Sequence, residues 1–157
     1  MVQEETVGPG SVMITGAGIG LGYEERNTGS KPAVFIQLWI EPKLQNAPPR
    51  HQFKYIANSN EGYGLTTLVW NGEGDKHCWI NQNCKVSLGR YDAGDHLQYN
   101  FEPYNKCIYL FVVRGELHVE HHHLHEKDAV GLWGSDKVSI LMLQDSWFIL
   151  IEVPINH

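Results

Sequence analysis

No run of apolar residues in this sequence approaches the roughly 18 that a membrane-spanning helix needs, and its first residues, Met1-Val2-Gln3-Glu4-Glu5, lack the basic and apolar character of a secretory leader. Neither a membrane anchor nor an export signal is expected, which points to a cytoplasmic setting. Basic charge is also scarce, with 12 Lys and Arg against 18 Asp and Glu for a formal net charge of −6. A surface that follows nucleic-acid phosphates needs clustered Lys and Arg, so DNA or RNA binding is not expected. Cysteine is sparse and odd in number. Cys78 and Cys84 are separated by five residues, a spacing that suits neither a redox pair nor a zinc knuckle, and with Cys107 they read as reduced, buried thiols. A sustained helical period is missing as well.

What remains is a composition of 42% hydrophobic and 19% charged residues in a length that suits one compact unit better than two complete domains. Short apolar alternations separated by Gly, Asn, Asp and Pro run from end to end, so the chain is expected to be all-β. Strands are predicted at 12–15, 33–41, 66–70, 84–91, 96–101, 107–114, 116–120, 123–125, 128–132, 138–141 and 146–153. Turns are predicted at 92–95, 103–105, 114–115 and 134–136, and loops at 58–64 and 71–75. The stretch 43–50, with Asn46-Ala47-Pro48-Pro49, reads as a linker because prolines cannot sit in a central strand. It divides an N-terminal segment, 1–45, from a body, 46–157, that could close into a barrel alone.

The most informative stretch is 111–119, FVVRGELHV, answered by 128–133, DAVGLW. It reads as a barrel hairpin and its return strand, with Gly115 at one corner and a second turn in the His-rich 120–126. That is the pattern of a cupin-type double-stranded β-helix, a jelly-roll barrel, here with an extra N-terminal β segment. Alternation predicts that Val86, Leu88, Leu97, Tyr99, Phe101, Ile108, Leu110, Val112, Leu117 and Val119 fill the interior. Trp147, Ile149, Ile151 and Val153 are expected to add a last inward stripe, with Phe148 and Leu150 making that strand apolar on both faces.

In the N-terminal run 10–19, GSVMITGAGI, in 36–42, IQLWIEP, in Pro49-Arg50, and from there to Pro154, the chain resembles the pirin-like proteins, which carry two cupin barrels. The resemblance spans nearly the whole chain but only the last third of the first barrel. It implies a metal held in the first barrel by a His-x-His pair, a further His and a Glu. The strand carrying the pair would precede Met1. Leu21 stands where the third His is expected, and only Glu24 or Glu25 could supply the acidic ligand. Neither does the second barrel show metal-ligand histidines around 99–108 or 134–140, and the resemblance implies none there. The glycine-rich 16–22 superficially looks like a phosphate loop but lacks a following helix, and the barrel-corner reading is preferred.

A cluster of five histidines, His118, His121, His122, His123 and His125, crowds one hairpin. A two-residue turn at Glu120-His121 would pair Val119 with His122, His118 with His123, Leu117 with Leu124 and Glu116 with His125. Glu116, His118, His123 and His125 would then share the outer face, a candidate for weak or adventitious binding of Zn, Ni or Cu, or simply a solvated polar surface. Glu and His suit the positive φ of a tight turn poorly, so a longer loop is also open. Tyr91, Asp92, Asp95, His96 and Glu102 are rim polars with no catalytic spacing.

The expected function is a non-catalytic cupin binding or assembly module without the family metal site and with no cofactor. Candidate contacts for a small apolar ligand inside the barrel are Tyr99, Phe101, Ile108 and Trp133. The unpaired β segment 1–45 implies a homodimer or another protein partner. The alternative is a metal-dependent dioxygenase of the quercetinase or pirin type, with a site rebuilt from Glu24 or Glu25 and His51, His77 or His96.

Overall fold

A computed structural model describes residues 4–44, 46–56 and 63–155, and among these it contains strands and no helix. The strands are β1 (Ser11–Gly16), β2 (Arg50–Tyr55), β3 (Gly64–Trp70), β4 (Cys78–Trp79), β5 (Lys85–Tyr91), β6 (His96–Asn100), β7 (Cys107–Arg114), β8 (Glu116–Val119), β9 (His122–His125), β10 (Ala129–Trp133), β11 (Lys137–Met142) and β12 (Ser146–Val153). A six-stranded sheet in the order β10-β7-β12-β5-β3-β4 faces a four-stranded sheet in the order β6-β11-β8-β9. All pairs are antiparallel except β3 with β4. The non-sequential neighbours are those of a jelly-roll barrel, as the alternation and turn spacing predict. No helix among the described residues is long and apolar enough to cross a membrane.

The barrel core is one cluster that takes Ile108, Leu110, Val112, Phe148 and Leu150 from the larger sheet and Tyr99, Leu117, Val119, Val138, Ile140 and Met142 from the smaller. A second cluster lies on the outer face of the larger sheet, where Leu68, Val69, Cys78, Cys84, Val86 and Ile151 meet Val12 and Ile14 of β1. Two predicted faces are therefore reversed. On β12 the inward side chains are Phe148 and Leu150, while Ile149, Ile151 and Val153 point to the second cluster and Trp147 is exposed. On β5, Val86 and Leu88 also belong to the second cluster. Alternation identifies two faces but cannot say which is inside when both are apolar. Burial raises the Cys78 thiol and pushes that of Cys84 up to about 12, so neither is a nucleophile at neutral pH.

The N-terminal region departs most from expectation. Residues 33–41 form no ladder, and Val34 and Trp39 are 95% and 82% exposed. The strand that pairs with β1 is β2, which follows the Pro48-Pro49 break, so the ladder crosses position 45. Its pattern hides it, because the half-buried positions are Gln52 and Lys54 while Phe53 and Tyr55 are exposed. Gln52 compensates with its amide, which donates to Trp79 O at 3.0 Å and accepts from Trp79 N–H at 3.2 Å. That arrangement copies a backbone pairing and ties β2 to β4. Gly18, at φ 56°, leaves only 2.0 Å between a hypothetical Cβ and Ala47 O. The glycine run is thus a tight corner.

Candidate functional site

The His-rich hairpin closes in the predicted register, with Glu116 opposite His125, Leu117 opposite Leu124, His118 opposite His123 and Val119 opposite His122. Leu117, Val119 and Leu124 enter the barrel core. Period-two geometry then sends Glu116, His118, His123 and His125 outward. Glu120 takes the positive φ of the turn, 51°. Two bonds to β11 hold it there: its N–H donates to Ser139 O at 3.1 Å, and its Oε1 accepts from Ser139 N–H at 2.6 Å. This tertiary clamp is why an unsuitable residue closes a two-residue turn.

Three of the four outward groups converge. One ligand-type atom from each of Glu116, His123 and His125 lies within 4.8 Å of the others. His123 Nε2 is 2.5 Å and His125 Nε2 4.0 Å from Glu116 Oε1. The His123 and His125 rings are 4.7 Å apart between centroids, and His118 stands farther out, 5.9 Å from His123. Two residues missed by sequence reasoning support the group. Gln144 Nε2 donates to Glu116 Oε2 at 2.6 Å from the β11–β12 turn. Asp128 Oδ2 accepts from His125 N–H at 2.9 Å and lies 3.5 Å from His125 Nδ1. Asp128 was legible in principle as the turn residue three places after His125; Gln144 comes from a distant loop and carries no local signal.

The barrel interior is packed with side chains. Ile108 is fully buried, Tyr99 is buried, and Phe101 packs at the edge of the same cluster. Trp133, placed inside from the sequence, is 72% exposed, because Val130 and Leu132 take the inward parity of β10. It borders a surface groove of about 570 Å³ with Lys106, Asp136 and Ile155. The Tyr99 hydroxyl is committed to a buried carboxylate. Glu152 Oε2 accepts from Tyr99 OH at 2.5 Å, and its Oε1 accepts from Glu102 N–H at 2.6 Å and from Asn105 Nδ2 at 2.9 Å. Burial first, and then the Glu152 bond, hold the Tyr99 phenol far above its usual range.

The residues considered for a rebuilt metal site have separate partners. His51 Nε2 meets Glu5 at 2.7 Å and its Nδ1 meets Thr15, His77 is buried against Gly72 O, and His96 meets Ser139 Oγ at 2.7 Å. Leu21, Glu24 and Glu25 lie on an exposed, unpaired stretch. Among the described residues none of these belongs to a group of three metal-ligand side chains. At the rim, Asp95 accepts from Asp92 N–H and from Tyr63 OH, Glu102 pairs with Lys85 at 2.6 Å, and Tyr91 lies over Phe148. These are structural contacts.

Residues 68–153 match the family described as the quercetinase C-terminal cupin domain. Over 145 residues the chain is 24% identical to a Pseudomonas aeruginosa protein that bears the provisional name quercetin 2,3-dioxygenase, covering 92% of this chain and 62% of that one. A pirin-like protein of Caulobacter vibrioides is 24% identical over 91% of this chain and 62% of its own length. The chain thus spans about three fifths of these curated relatives. Among solved structures, the bacterial pirin YhhW of Escherichia coli in complex with nickel(II) superposes with a TM-score of 0.68 at 17% identity, over 75% of this chain and 49% of that one. Quercetin 2,3-dioxygenase from Acinetobacter baumannii superposes at 0.56, also at 17% identity, over 70% and 41%. These structural likenesses concern the fold.

Proposed function

This chain belongs to the pirin-like proteins through the quercetinase C-terminal cupin domain that residues 68–153 match, and on that premise we propose that it is a non-catalytic binding or assembly module. The observation that carries this reading is the barrel interior, where Ile108, Leu110, Phe148, Leu150, Leu117 and Ile140 are each fully buried in one cluster. Catalysis inside this second barrel would need an open bowl with ligands pointing into it. Here the inward positions hold hydrocarbon, and the polar Glu152 at the end of the stripe has its oxygens occupied by Tyr99, Glu102 and Asn105. Supplied with Fe(II), Ni(II) or Cu(II) and quercetin in air, the protein is expected to consume flavonol no faster than metal alone. A loss of flavonol absorbance proportional to protein concentration makes it an enzyme of the kind its relatives are named for, and ends this reading.

The assembly face is the N-terminal segment. Val34, Phe35, Ile36, Leu38 and Trp39 are all exposed in one short stretch, and clustered apolar exposure of this kind marks an interaction surface. A homodimer built on residues 1–45 covers it with the least additional machinery. Light scattering at micromolar concentration is expected to give twice the chain mass, and Trp39→Ser to shift the distribution toward monomer. A monomeric mass for the unaltered protein contradicts the proposal.

A further inference from the structure

The outer face of the β8–β9 hairpin carries an arrangement that fold stability does not call for. Two imidazoles on alternate residues of one strand and a carboxylate on the neighbouring strand bring three donor atoms together, and two of the three, Glu116 and His125, are oriented by a neighbour outside the group. Gln144 holds Glu116 Oε2 at 2.6 Å, which leaves Oε1 facing the imidazoles. Asp128 is fixed by the His125 backbone N–H at 2.9 Å and sits 3.5 Å from Nδ1 of the same ring, which directs Nε2 toward Glu116 Oε1. A carboxylate behind the non-ligating nitrogen of a histidine, and a hydrogen bond to the free oxygen of an acidic ligand, are the usual outer partners of a metal site.

We propose that Glu116 Oε1, His123 Nε2 and His125 Nε2 bind one borderline divalent cation of the Zn(II), Ni(II) or Cu(II) class on the outside of the barrel. Two nitrogens and one carboxylate oxygen form a donor set suited to these ions and poorly suited to Mg(II) or Ca(II), which prefer oxygen. Donors each about 2.0–2.1 Å from a tetrahedral ion stand roughly 3.3 Å apart. The distances from Glu116 Oε1, 2.5 Å to His123 and 4.0 Å to His125, bracket that value, and all three donor atoms lie within 4.8 Å of one another, so changes of side-chain rotamer are enough to complete the site. The hairpin backbone need not move, since its register already pairs Glu116 with His125. Half-exposed ligands leave the remaining coordination position to solvent or an incoming donor. Binding here is independent of any turnover in the barrel, and the flavonol assay and a metal titration can fail separately.

The test is calorimetric titration of Zn(II) into the whole, untagged protein at constant pH. The unaltered protein and a His118→Ala, His121→Ala variant are expected to bind one ion per chain with the same affinity. His123→Ala and His125→Ala each lose saturation or weaken at least tenfold, and Asp128→Asn weakens binding about tenfold through its effect on His125. Thermal melts in the presence of Zn(II) provide a second readout. The midpoint is expected to rise for the unaltered protein and stay constant for the His125→Ala variant, itself folded by its cooperative transition. Identical isotherms for the unaltered protein and a His123→Ala, His125→Ala variant overturn the proposal, as does an equal loss in the His118→Ala, His121→Ala control.

Discussion

Replacing Glu152 with Ala is expected to remove about 3–5 kcal/mol of stability, read from urea or guanidinium unfolding, because three donors lose their shared acceptor at once. The carboxylate is fully buried and collects the Tyr99 hydroxyl, the Glu102 N–H and the Asn105 amide. Those bonds fasten β6 and the 101–105 loop to β12. With Ala at 152, the Tyr99 hydroxyl and the Asn105 amide stay in buried residues without their acceptor, and each carries its own desolvation cost. Tyr99→Phe removes one of the three bonds and is expected to cost about 1–3 kcal/mol. A loss under about 1 kcal/mol for Glu152→Ala would show that the loop relaxes and the network stores little.

Gly89→Ala is expected to cost about 3 kcal/mol, the upper end of the usual range for overpacking a core. A Cβ at this position lies 2.3 Å from Phe148 Cζ and 2.6 Å from both Cε atoms. The phenyl ring has nowhere to go, because it is fully buried and stacked against Tyr91 at 5.8 Å with an interplanar angle of 7°. Phe148→Leu opens the space at a cost of its own. The two substitutions together should therefore cost less than their sum, by about 1 kcal/mol or more, in a double-mutant cycle of melting or chemical unfolding. Strict additivity would mean that the Gly89 effect is a backbone effect and that the ring is not what requires glycine.

The candidate metal site was largely legible in the sequence. Glu116, His118, His123 and His125 are placed on one face by hairpin register alone, since a two-residue turn leaves a single pairing. The narrowing from four residues to three was not, nor was the reason that Glu120 tolerates its turn. Both depend on side chains and backbone brought in from β11 and the loop after it, at Ser139 and Gln144. The barrel-interior candidates divide in the same way. Tyr99 and Ile108 are inside as alternation predicts, whereas Trp133 is outside because the inward parity of β10 belongs to Val130 and Leu132.

By itself the sequence determined the all-β jelly roll, most of its strands and the hairpin that brings imidazoles and a carboxylate together. These follow from local period-two patterning and turn residues, which act over a few positions. The partner of β1, the inward faces of β5 and β12, and the residues that orient Glu116 and His125 were decided only in the folded chain. A strand covered by apolar groups on both sides has no distinguishable inner parity, and a polar strand such as Arg50–Tyr55 is recruited by the edge it meets rather than by its own pattern.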